Sequence, residues 1–262
     1  MDIRETNFKM GNKMSVKIVP SIDESEINRK FALGIIDYQN DFITGSLAVS
    51  EAESILGPIN KLRFIYFDKI PTFISLDSHP ENHMSFAKTN NAEQYTKKNL
   101  QIQMEDNSIM VVDQDMWPVH CVNGTHGAKL HQDLILTNMD KFIRKGTKAN
   151  VESYSVFGDE NNGKYEKTDL EDWLKLNNIT DLVLTGLATD FCVYYTALDG
   201  IRLGYKVHLI QSCTKGVKDS STKEALNDMK SKGVLLYENV DKFCEINKGG
   251  IIYSLRINEP PL

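Results

Sequence analysis

Several short apolar segments of this chain end in a side chain that can take part in chemistry. The segments Phe31–Asp37 and Pro71–Asp77 both end in an aspartate, and Lys141–Lys145 ends in a lysine. Cys192 follows shortly after a further apolar segment. Because the carboxyl ends of parallel strands lie along one edge of a sheet, where ligands bind, we expect these side chains to meet there. An acid, a cation and a thiol held together suit nucleophilic catalysis by a cysteine.

Cys192 is the candidate nucleophile. It follows the run Gly-Leu-Ala-Thr-Asp-Phe, which predicts a strand, a tight turn and the start of a helix, Thr189–Leu203, with Thr189 as its N-cap. Helix starts and nearby cations lower the pKa of a cysteine from about 8.5 to roughly 3.5–7.5, which favours the thiolate. Lys145 could supply the cation and Asp37 could accept the proton, while N–H groups at the helix start could hold an oxyanion. The alternative interpretation is a small buried residue at a strand–helix junction.

Histidines are concentrated in one stretch of the chain. Five of the six lie between residues 79 and 131, and Asp77, His79 and His83 fall within the heptapeptide Asp-Ser-His-Pro-Glu-Asn-His. One aspartate with two or three imidazoles suits zinc, iron or manganese and leaves coordination positions open for a ligand. His120, in Trp-Pro-Val-His-Cys, is the candidate third ligand. The alternative interpretation is that each of these histidines is a surface or helix-capping residue. For the three remaining histidines, His126, His131 and His208, we expect only such a role.

The rest of the pattern alternates strands with helices, which predicts one α/β domain of three layers, a parallel sheet with helices on both faces. The further predicted elements are the strands Ser15–Pro20, Asp181–Leu187, Lys206–Ser212 and Val234–Tyr237 and the helices Ser54–Ile70, Leu170–Leu176 and Asp219–Ser231. The domain is expected to span residues 31–248, after an N-terminal extension over 1–30 and before a tail over 249–262. Residues 89–115 show no clear pattern and are expected to form an insertion or a long loop.

The composition narrows the classes of protein to which this chain can belong. Apolar residues make up 41% and charged residues 25% of the 262 residues, values of a globular protein rather than a disordered one. The net charge of −6 argues against a general nucleic-acid binder. No apolar run reaches the roughly 18 residues that a membrane helix needs, and the amino terminus lacks a signal-peptide core. We therefore expect an intracellular, cytoplasmic protein that binds neither nucleic acid nor membrane. We expect no disulfide framework. The protein could form a homo-oligomer.

Five motifs occur in the order in which they occur in a known family. They are Asp37-Tyr-Gln-Asn-Asp-Phe, Asp77-Ser-His-Pro, Trp117-Pro-Val-His-Cys, Lys145-Gly and Gly186-Leu-Ala-Thr-Asp-Phe-Cys-Val. Together they resemble nicotinamidases of the isochorismatase-like superfamily of cysteine hydrolases, from about Phe31 to Phe243. The resemblance implies a parallel six-stranded sheet flanked by helices. It also implies hydrolysis of nicotinamide to nicotinic acid and ammonia, in NAD salvage.

The resemblance implies roles for the motif residues at the strand ends. It implies a catalytic triad of Asp37, Lys145 and Cys192. The oxyanion would be held by the backbone amides of Ala188 and Cys192, after a cis Leu187–Ala188 peptide bond.

The resemblance also implies a metal site and a pocket for the substrate ring. The implied metal is a divalent ion, zinc before iron or manganese, that contacts the pyridine nitrogen. The implied ligands are Asp77, His79 and His120, with His83 either a fourth ligand or a support for the others. The implied aromatic walls of the ring pocket are Trp117 and Phe42, of which Phe42 would otherwise be read as a core residue.

Three other functions stay open at this stage. A sister amidohydrolase that acts on another small amide or ureide would keep the triad but would need no metal at a ring nitrogen. A metallohydrolase would activate water at the metal and leave the cysteine incidental. A non-enzymatic nicotinamide sensor would bind the ligand without releasing ammonia. Ser78 departs from the family, which usually has an aromatic residue there, so a more open wall is expected at this position.

Overall fold

The computed structural model describes residues 29–66, 69–104, 106–159 and 164–247. Its elements are, in chain order, β1 (Phe31–Ile36), α1 (Asn40–Ile43), a 3-10 helix (Ala52–Ile55), α2 (Leu56–Ile65), β2 (Thr72–Asp77), β3 (Lys97–Gln103), β4 (Ile109–Asp115), β5 (Lys141–Lys145), α3 (Leu170–Leu176), β6 (Asp181–Leu187), α4 (Cys192–Arg202), β7 (Lys206–Lys215), α5 (Asp219–Ser231) and β8 (Leu235–Tyr237). Residues 240–247 are also helical. The strand expected at Ser15–Pro20, most of the expected extension and the expected tail lie outside the described residues.

Six strands form one parallel sheet in the order β5-β2-β1-β6-β7-β8, which confirms the predicted fold class. β1 and β6 lie at its centre, paired from Phe31 with Asp181 to Ile36 with Gly186. Both strands are buried along their whole length, which explains why they read as continuous apolar runs. β2 and β5 lie on one side of this central pair, and β7 and β8 lie on the other. The carboxyl ends of β1 and β6 therefore flank the point where the strand order reverses, the usual ligand crevice of an open α/β sheet.

Helices cover both faces of the sheet because alternate strand residues point to opposite sides. On one face, Leu33 and Ile35 of β1 pack in a cluster with Ile59 and Leu62 of α2. The cluster on the other face joins β1 and β6 to α3, α4 and α5: Ala32, Ile36, Leu182, Leu170, Val193 and Met229. Two apolar layers thus hold the sheet between its helices. No helix within the described ranges is both long enough and apolar enough to cross a membrane.

The expected insertion is not the patternless loop that its sequence suggests. It contains an antiparallel hairpin, β3–β4, in which Leu100 lies opposite Val112. These two side chains are half-buried, whereas Ile109 and Val111 on the other face are 67% and 59% exposed. The alternation is hidden in the sequence because apolar residues stand on both faces of β4. The turn holds Asn107 at φ 63°, without the glycine that commonly marks a hairpin.

The predicted N-cap of α4 is wrong. The helix begins at Cys192, and Thr189 instead extends the contact between β6 and β7. The Thr189 N–H donates to the Lys215 carbonyl at 2.9 Å, and its Oγ1 lies 2.7 Å from Thr214 Oγ1, so this hydroxyl is not available to cap the helix. The helix expected over Ser54–Ile70 is also shorter than predicted, because the chain leaves α2 early to turn back into β2.

Candidate active site

Asp37 lies directly after β1 in the left-handed backbone region, at φ 46°, which aspartate adopts more readily than most residues. The Oγ of Ser75 on β2 donates a hydrogen bond of 2.6 Å to Asp37 Oδ1, and the Asp37 N–H donates to the same Oγ at 3.1 Å. The Asp37 side chain is completely buried. One carboxylate oxygen is therefore held by β2, while the other faces Lys145 at the end of β5.

The ammonium group of Lys145 is the point at which the strand ends meet. Its Nζ lies 2.9 Å from Asp37 Oδ2, 2.5 Å from Asp77 Oδ1 and 3.3 Å from Cys192 Sγ. Ligand-type atoms of these three partners lie within 4.8 Å of one another. Burial acts to lower the pKa of Lys145, but the carboxylates of Asp37 and Asp77 outweigh it and raise that pKa well above its usual value. The lysine therefore stays charged and supplies the cation that this acidic group needs.

Burial raises the pKa of both candidate reacting groups. It raises the pKa of the Cys192 thiol well above its usual value, and the Lys145 ammonium only partly opposes this. Burial thus favours the neutral thiol at this helix start, and formation of the thiolate calls for a base beside it. Burial likewise raises the pKa of Asp37 against the effect of Lys145. Among the described residues, Asp37 Oδ2 is the one buried side-chain oxygen or nitrogen without a hydrogen bond, since its close contact with Lys145 lacks hydrogen-bond geometry.

Asp77 ends β2 and joins this cluster to a pair of histidines. Its Oδ1 contacts Lys145, while its Oδ2 lies 3.4 Å from His79 Nε2 and 3.9 Å from His120 Nε2. The Nδ1 atom of each imidazole lies within 2.9 Å of a backbone carbonyl oxygen. Because a carbonyl only accepts hydrogen bonds, each Nδ1 carries the proton. The Nε2 of His120 therefore has a free lone pair on the side of Asp77. Burial acts to lower the pKa of His79, but the carboxylate of Asp77 outweighs it and raises that pKa, so the His79 Nε2 offers a lone pair only when the ring is neutral.

This donor set fits a divalent metal ion. Burial lowers the pKa of His120 to about 4, so its imidazole is neutral at neutral pH. Burial would raise the pKa of Asp77, but Lys145 and His79 hold it well below its usual value, so the group is a carboxylate. The three side chains form a group that could hold a metal ion and would leave positions open for a ligand. The carbonyl contacts of both Nδ1 atoms are the support typical of metal-binding histidines.

His83 is arranged differently from the other two histidines. Its ring stacks on His79 with centroids 4.1 Å apart. Its Nε2 donates to the Val151 carbonyl at 3.0 Å, and its Nδ1 lies 2.8 Å from Ser85 Oγ, so both ring nitrogens are engaged. A second group that could hold a metal ion joins His79 and His83 with Glu152. Sequence reasoning missed Glu152, because an acid in a loop gives no local sign that it will lie beside a histidine cluster.

A small cavity opens onto these groups. It is lined by Asp77, His120 and Cys192 and by mostly apolar side chains: Phe42, Leu47, Trp117, Tyr154, Ala188, Phe191 and Val217. Its volume is about 30 Å³, room for roughly two water molecules. The Trp117 indole N–H donates to the Tyr154 hydroxyl at 3.0 Å, and the Phe191 ring lies edge-on to Trp117. Of the lining residues that sequence reasoning missed, Phe191 could have been found because it precedes Cys192. A larger groove between α5 and β8, about 730 Å³, is lined by neither cysteine nor histidine.

The turn between β6 and α4 presents unengaged backbone donors beside the thiol. The Leu187–Ala188 peptide bond is cis. Within the described part of the chain, neither the N–H of Ala188 nor that of Cys192 donates a hydrogen bond. Gly186 precedes the turn at φ 101°, and a Cβ there would lie 2.1 Å from the Ile36 carbonyl oxygen of β1. Glycine thus permits the close approach of β1 and β6, and the two N–H groups that follow suit a developing oxyanion.

Gln39 holds Asp77 by its backbone. The Gln39 Nε2 donates to the Asp77 carbonyl at 2.9 Å, and its Oε1 accepts from the Asp77 N–H at 2.8 Å. This buried side-chain amide continues the pairing of β1 with β2 beyond the last residue of β1. The same Nε2 donates to the Ala128 carbonyl at 2.8 Å, and Asp41 Oδ2 accepts from the Cys121 N–H at 2.7 Å. The loop that carries His120 is thereby tied to the segment after β1.

Comparisons with known proteins show the family of this chain. The family model of the isochorismatase domain matches residues 31–238. The chain belongs to the isochorismatase domain family. A nicotinamidase of Escherichia coli (strain K12) is 38% identical over 80% of this chain and 95% of that protein. The structure of the yeast nicotinamidase matches 80% of this isochorismatase-family chain and 100% of the yeast chain, with 28% identity and a TM-score of 0.74. The pyrazinamidase of Pyrococcus horikoshii, solved in complex with zinc, matches 79% of this chain and 98% of its own, with 30% identity and a TM-score of 0.65.

Proposed function

We propose that this protein is a nicotinamidase, which hydrolyses nicotinamide to nicotinic acid and ammonia as a step of NAD salvage. The observation that carries the proposal is the meeting of Cys192, Lys145 and Asp37 at a cavity walled by Phe42 and Trp117. The similarity of the chain to nicotinamidases over most of its length supports the same activity.

The proposed nucleophile is the thiol of Cys192, and the proposed base is Asp37. Asp37 Oδ2, which lacks a hydrogen bond, takes the thiol proton, and the Lys145 ammonium at 3.3 Å from Sγ stabilises the thiolate. Sγ then forms a bond to the carboxamide carbon, and the electron pair of the carbonyl moves to its oxygen. Transfer of the proton within the buried cluster leaves the thiolate beside the Lys145 ammonium, which offsets the cost of burying a negative charge.

The backbone N–H groups of Ala188 and Cys192 are the proposed oxyanion donors. In measured enzymes, loss of one such donor costs about 2.7–4 kcal/mol of transition-state stabilisation. As the carbon–nitrogen bond breaks, Asp37 returns the proton to the leaving nitrogen, which departs as ammonia. Water then attacks the thioester with Asp37 again as base, which releases nicotinic acid and restores the thiol.

The proposed metal site consists of Asp77, His79 and His120, and zinc is the proposed ion. One carboxylate and two imidazoles suit zinc, and the related pyrazinamidase of Pyrococcus horikoshii was solved in complex with it. A bound ion would offer an open coordination position to the ring nitrogen of the substrate and would orient the carboxamide toward Cys192. His83 and Glu152 adjoin His79 and are the proposed neighbours of this site.

Phe42 and Trp117 are the proposed walls of the ring pocket. Their cavity of about 30 Å³ is too small for a pyridine ring, so we expect lining side chains to move apart when the substrate binds.

Ammonia release from nicotinamide by the purified protein tests the proposal. We expect turnover that is lost in Cys192→Ala, lost after treatment with a chelator and regained with added zinc. Absence of turnover, with Cys192 still alkylated by iodoacetamide, would indicate a sister amidohydrolase with another amide substrate. Turnover that iodoacetamide does not inhibit would indicate water activated at the metal, and tight nicotinamide binding without ammonia would indicate a sensor.

A further inference from the structure

The loop that follows β5 contacts both halves of the site. The Gly146 carbonyl lies 2.9 Å from His79 Nδ1 and accepts its hydrogen bond. A Cβ on Gly146 would come within 2.4 Å of the His79 ring, so the loop lies directly against this imidazole. Further along the loop, the Ser153 carbonyl accepts a hydrogen bond from Lys145 Nζ at 3.2 Å. Two carbonyl groups of one loop therefore orient a proposed metal ligand and the proposed catalytic lysine.

A single carboxylate outside the cavity holds both ends of this loop. Glu166 Oε2 accepts from the Gly146 N–H at 2.9 Å and from the Ser153 hydroxyl. Its Oε1 accepts from the Thr147 N–H at 2.8 Å and from the Thr147 hydroxyl at 2.5 Å. The side chain is buried, and the Glu166 N–H in turn donates to Asp159 at 2.7 Å. These contacts all come from uncharged donors, so the carboxylate serves to gather the loop rather than to neutralise a cation.

We propose that Glu166 is a positioning residue for the reaction. It holds the loop 146–153 so that the Gly146 carbonyl orients His79 and the Ser153 carbonyl orients Lys145. Without Glu166, the loop donors would lose their acceptor and both carbonyls would lose their fixed place. The effect on turnover rests on the proposed function, whereas the effect on metal binding does not.

The test compares Glu166→Ala and Glu166→Gln with the wild type and with a control. Glu166→Ala removes every contact of the carboxylate. Glu166→Gln keeps one oxygen, so one of the two backbone N–H groups still loses its acceptor. Asp140→Ala is the matched control, because Asp140 also anchors a loop with a nearly buried carboxylate, through Arg63 and Thr137, but it does so at the opposite end of β5.

The zinc affinity of each metal-free protein is measured by competition with a chromogenic chelator, and kcat and KM by ammonia release. Loss of a group that supports a metal ligand weakens metal binding by about 10–100-fold, and we expect a loss of this size in Glu166→Ala together with a lower kcat. We expect a smaller loss in Glu166→Gln. Asp140→Ala should lower the melting temperature and leave the zinc affinity unchanged.

Wild-type zinc affinity and kcat in Glu166→Ala would overturn the proposal, and so would an equal loss of affinity in Asp140→Ala. If Glu166→Ala does not fold, Glu166→Gln decides: weaker zinc binding supports the role, and unchanged binding refutes it. If the wild type releases no ammonia from nicotinamide, the proposed function fails, while the zinc comparison still tests Glu166.

Discussion

Two buried ionic clusters lie at opposite ends of the central strands, and they differ in how completely their polar atoms are hydrogen-bonded. At the amino end, Asp181 Oδ1 accepts from the Arg29 guanidinium at 2.7 Å and lies 2.8 Å from His208 Nε2. Its Oδ2 accepts from Thr180 at 2.7 Å, and His208 Nδ1 lies 3.0 Å from the Tyr237 hydroxyl. Each of these buried atoms has a partner. The cluster therefore joins the residue before β1 to β6, β7 and β8 through fully paired polar groups.

In the cluster at the carboxyl end, not every buried polar atom has a hydrogen bond. Asp37 and Asp77 share the ammonium of Lys145, and Asp37 Oδ2 has no hydrogen bond. This oxygen lies 2.9 Å from the Lys145 ammonium and is ion-paired with it, but the contact lacks hydrogen-bond geometry. Native proteins keep few such atoms, and each calls for an explanation. The comparison teaches that the fully hydrogen-bonded end is suited to stabilising the fold, whereas the other end leaves one oxygen, on Asp37, that suits the base we propose.

Asp37→Asn changes the carboxyl-end cluster, in which one oxygen has no hydrogen bond. The change keeps the shape of the side chain but removes the basic oxygen, so kcat for nicotinamide should fall by about 100- to 10,000-fold, the usual contribution of general acid–base catalysis. The free energy of unfolding should fall less than in a variant of the amino-end cluster, because Lys145 keeps the carboxylate of Asp77 as a counter-charge. Ammonia release and urea unfolding measure the two effects. A variant with wild-type kcat and lower stability would contradict the proposed role of Asp37.

Asp181→Asn makes the same kind of change in the amino-end cluster, in which the polar atoms are hydrogen-bonded. It removes the charge of Asp181 that pairs with the buried guanidinium of Arg29, and breaking a buried pair in this way costs about 3–5 kcal/mol. We expect the free energy of unfolding to fall by that amount in urea titrations, with kcat unchanged, because the cluster lies at the far end of β6 from Cys192. A loss of kcat as large as that of Asp37→Asn would show that the two ends are coupled.

Gln39→Leu sharpens the comparison by loosening Asp77 without changing a charge. The variant loses the two hydrogen bonds from the Gln39 side chain to the Asp77 backbone. The Asp77 carboxylate, which contacts Lys145 and two histidines, is then held less firmly in position. We expect zinc affinity to weaken by about 10–100-fold, the usual cost of losing a group that orients a metal ligand. Chelator competition measures this. Zinc affinity equal to that of the wild type would mean that β2 alone positions Asp77.

His208→Gln should have the smallest effect, seen in how stability depends on pH. Burial lowers the pKa of His208 against the effect of Asp181, so the folded protein binds this proton less readily than the unfolded chain, whose histidine titrates near about 6.5. The free energy of unfolding should therefore fall as the pH drops below about 6.5, and the variant should lack this part of the fall. Thermal melts from about pH 8 to about pH 5 compare the two proteins. Equal slopes would exclude a contribution from His208.

The strand ends and the fold class could be predicted from the sequence because they depend on short runs of neighbouring residues. β5, β6 and α3 begin and end where the pattern predicts, at Lys141–Lys145, Asp181–Leu187 and Leu170–Leu176. General rules for parallel sheets then bring the carboxyl ends of the strands to one edge. Asp37, Asp77, Lys145 and Cys192 meet there because each lies at or just beyond such an end.

The remaining features were decided by the tertiary structure. Glu152 and Glu166 lie in loops, and their partners are set by contacts between segments distant in sequence. The hairpin β3–β4 was hidden because its two faces do not differ enough in polarity. The pKa of Cys192 shows the reason most clearly: the local sequence places the thiol at a helix start, but its protonation depends on burial by the whole fold. Periodicity and motifs are local properties of the chain, whereas desolvation and loop anchoring exist only once distant segments have packed together.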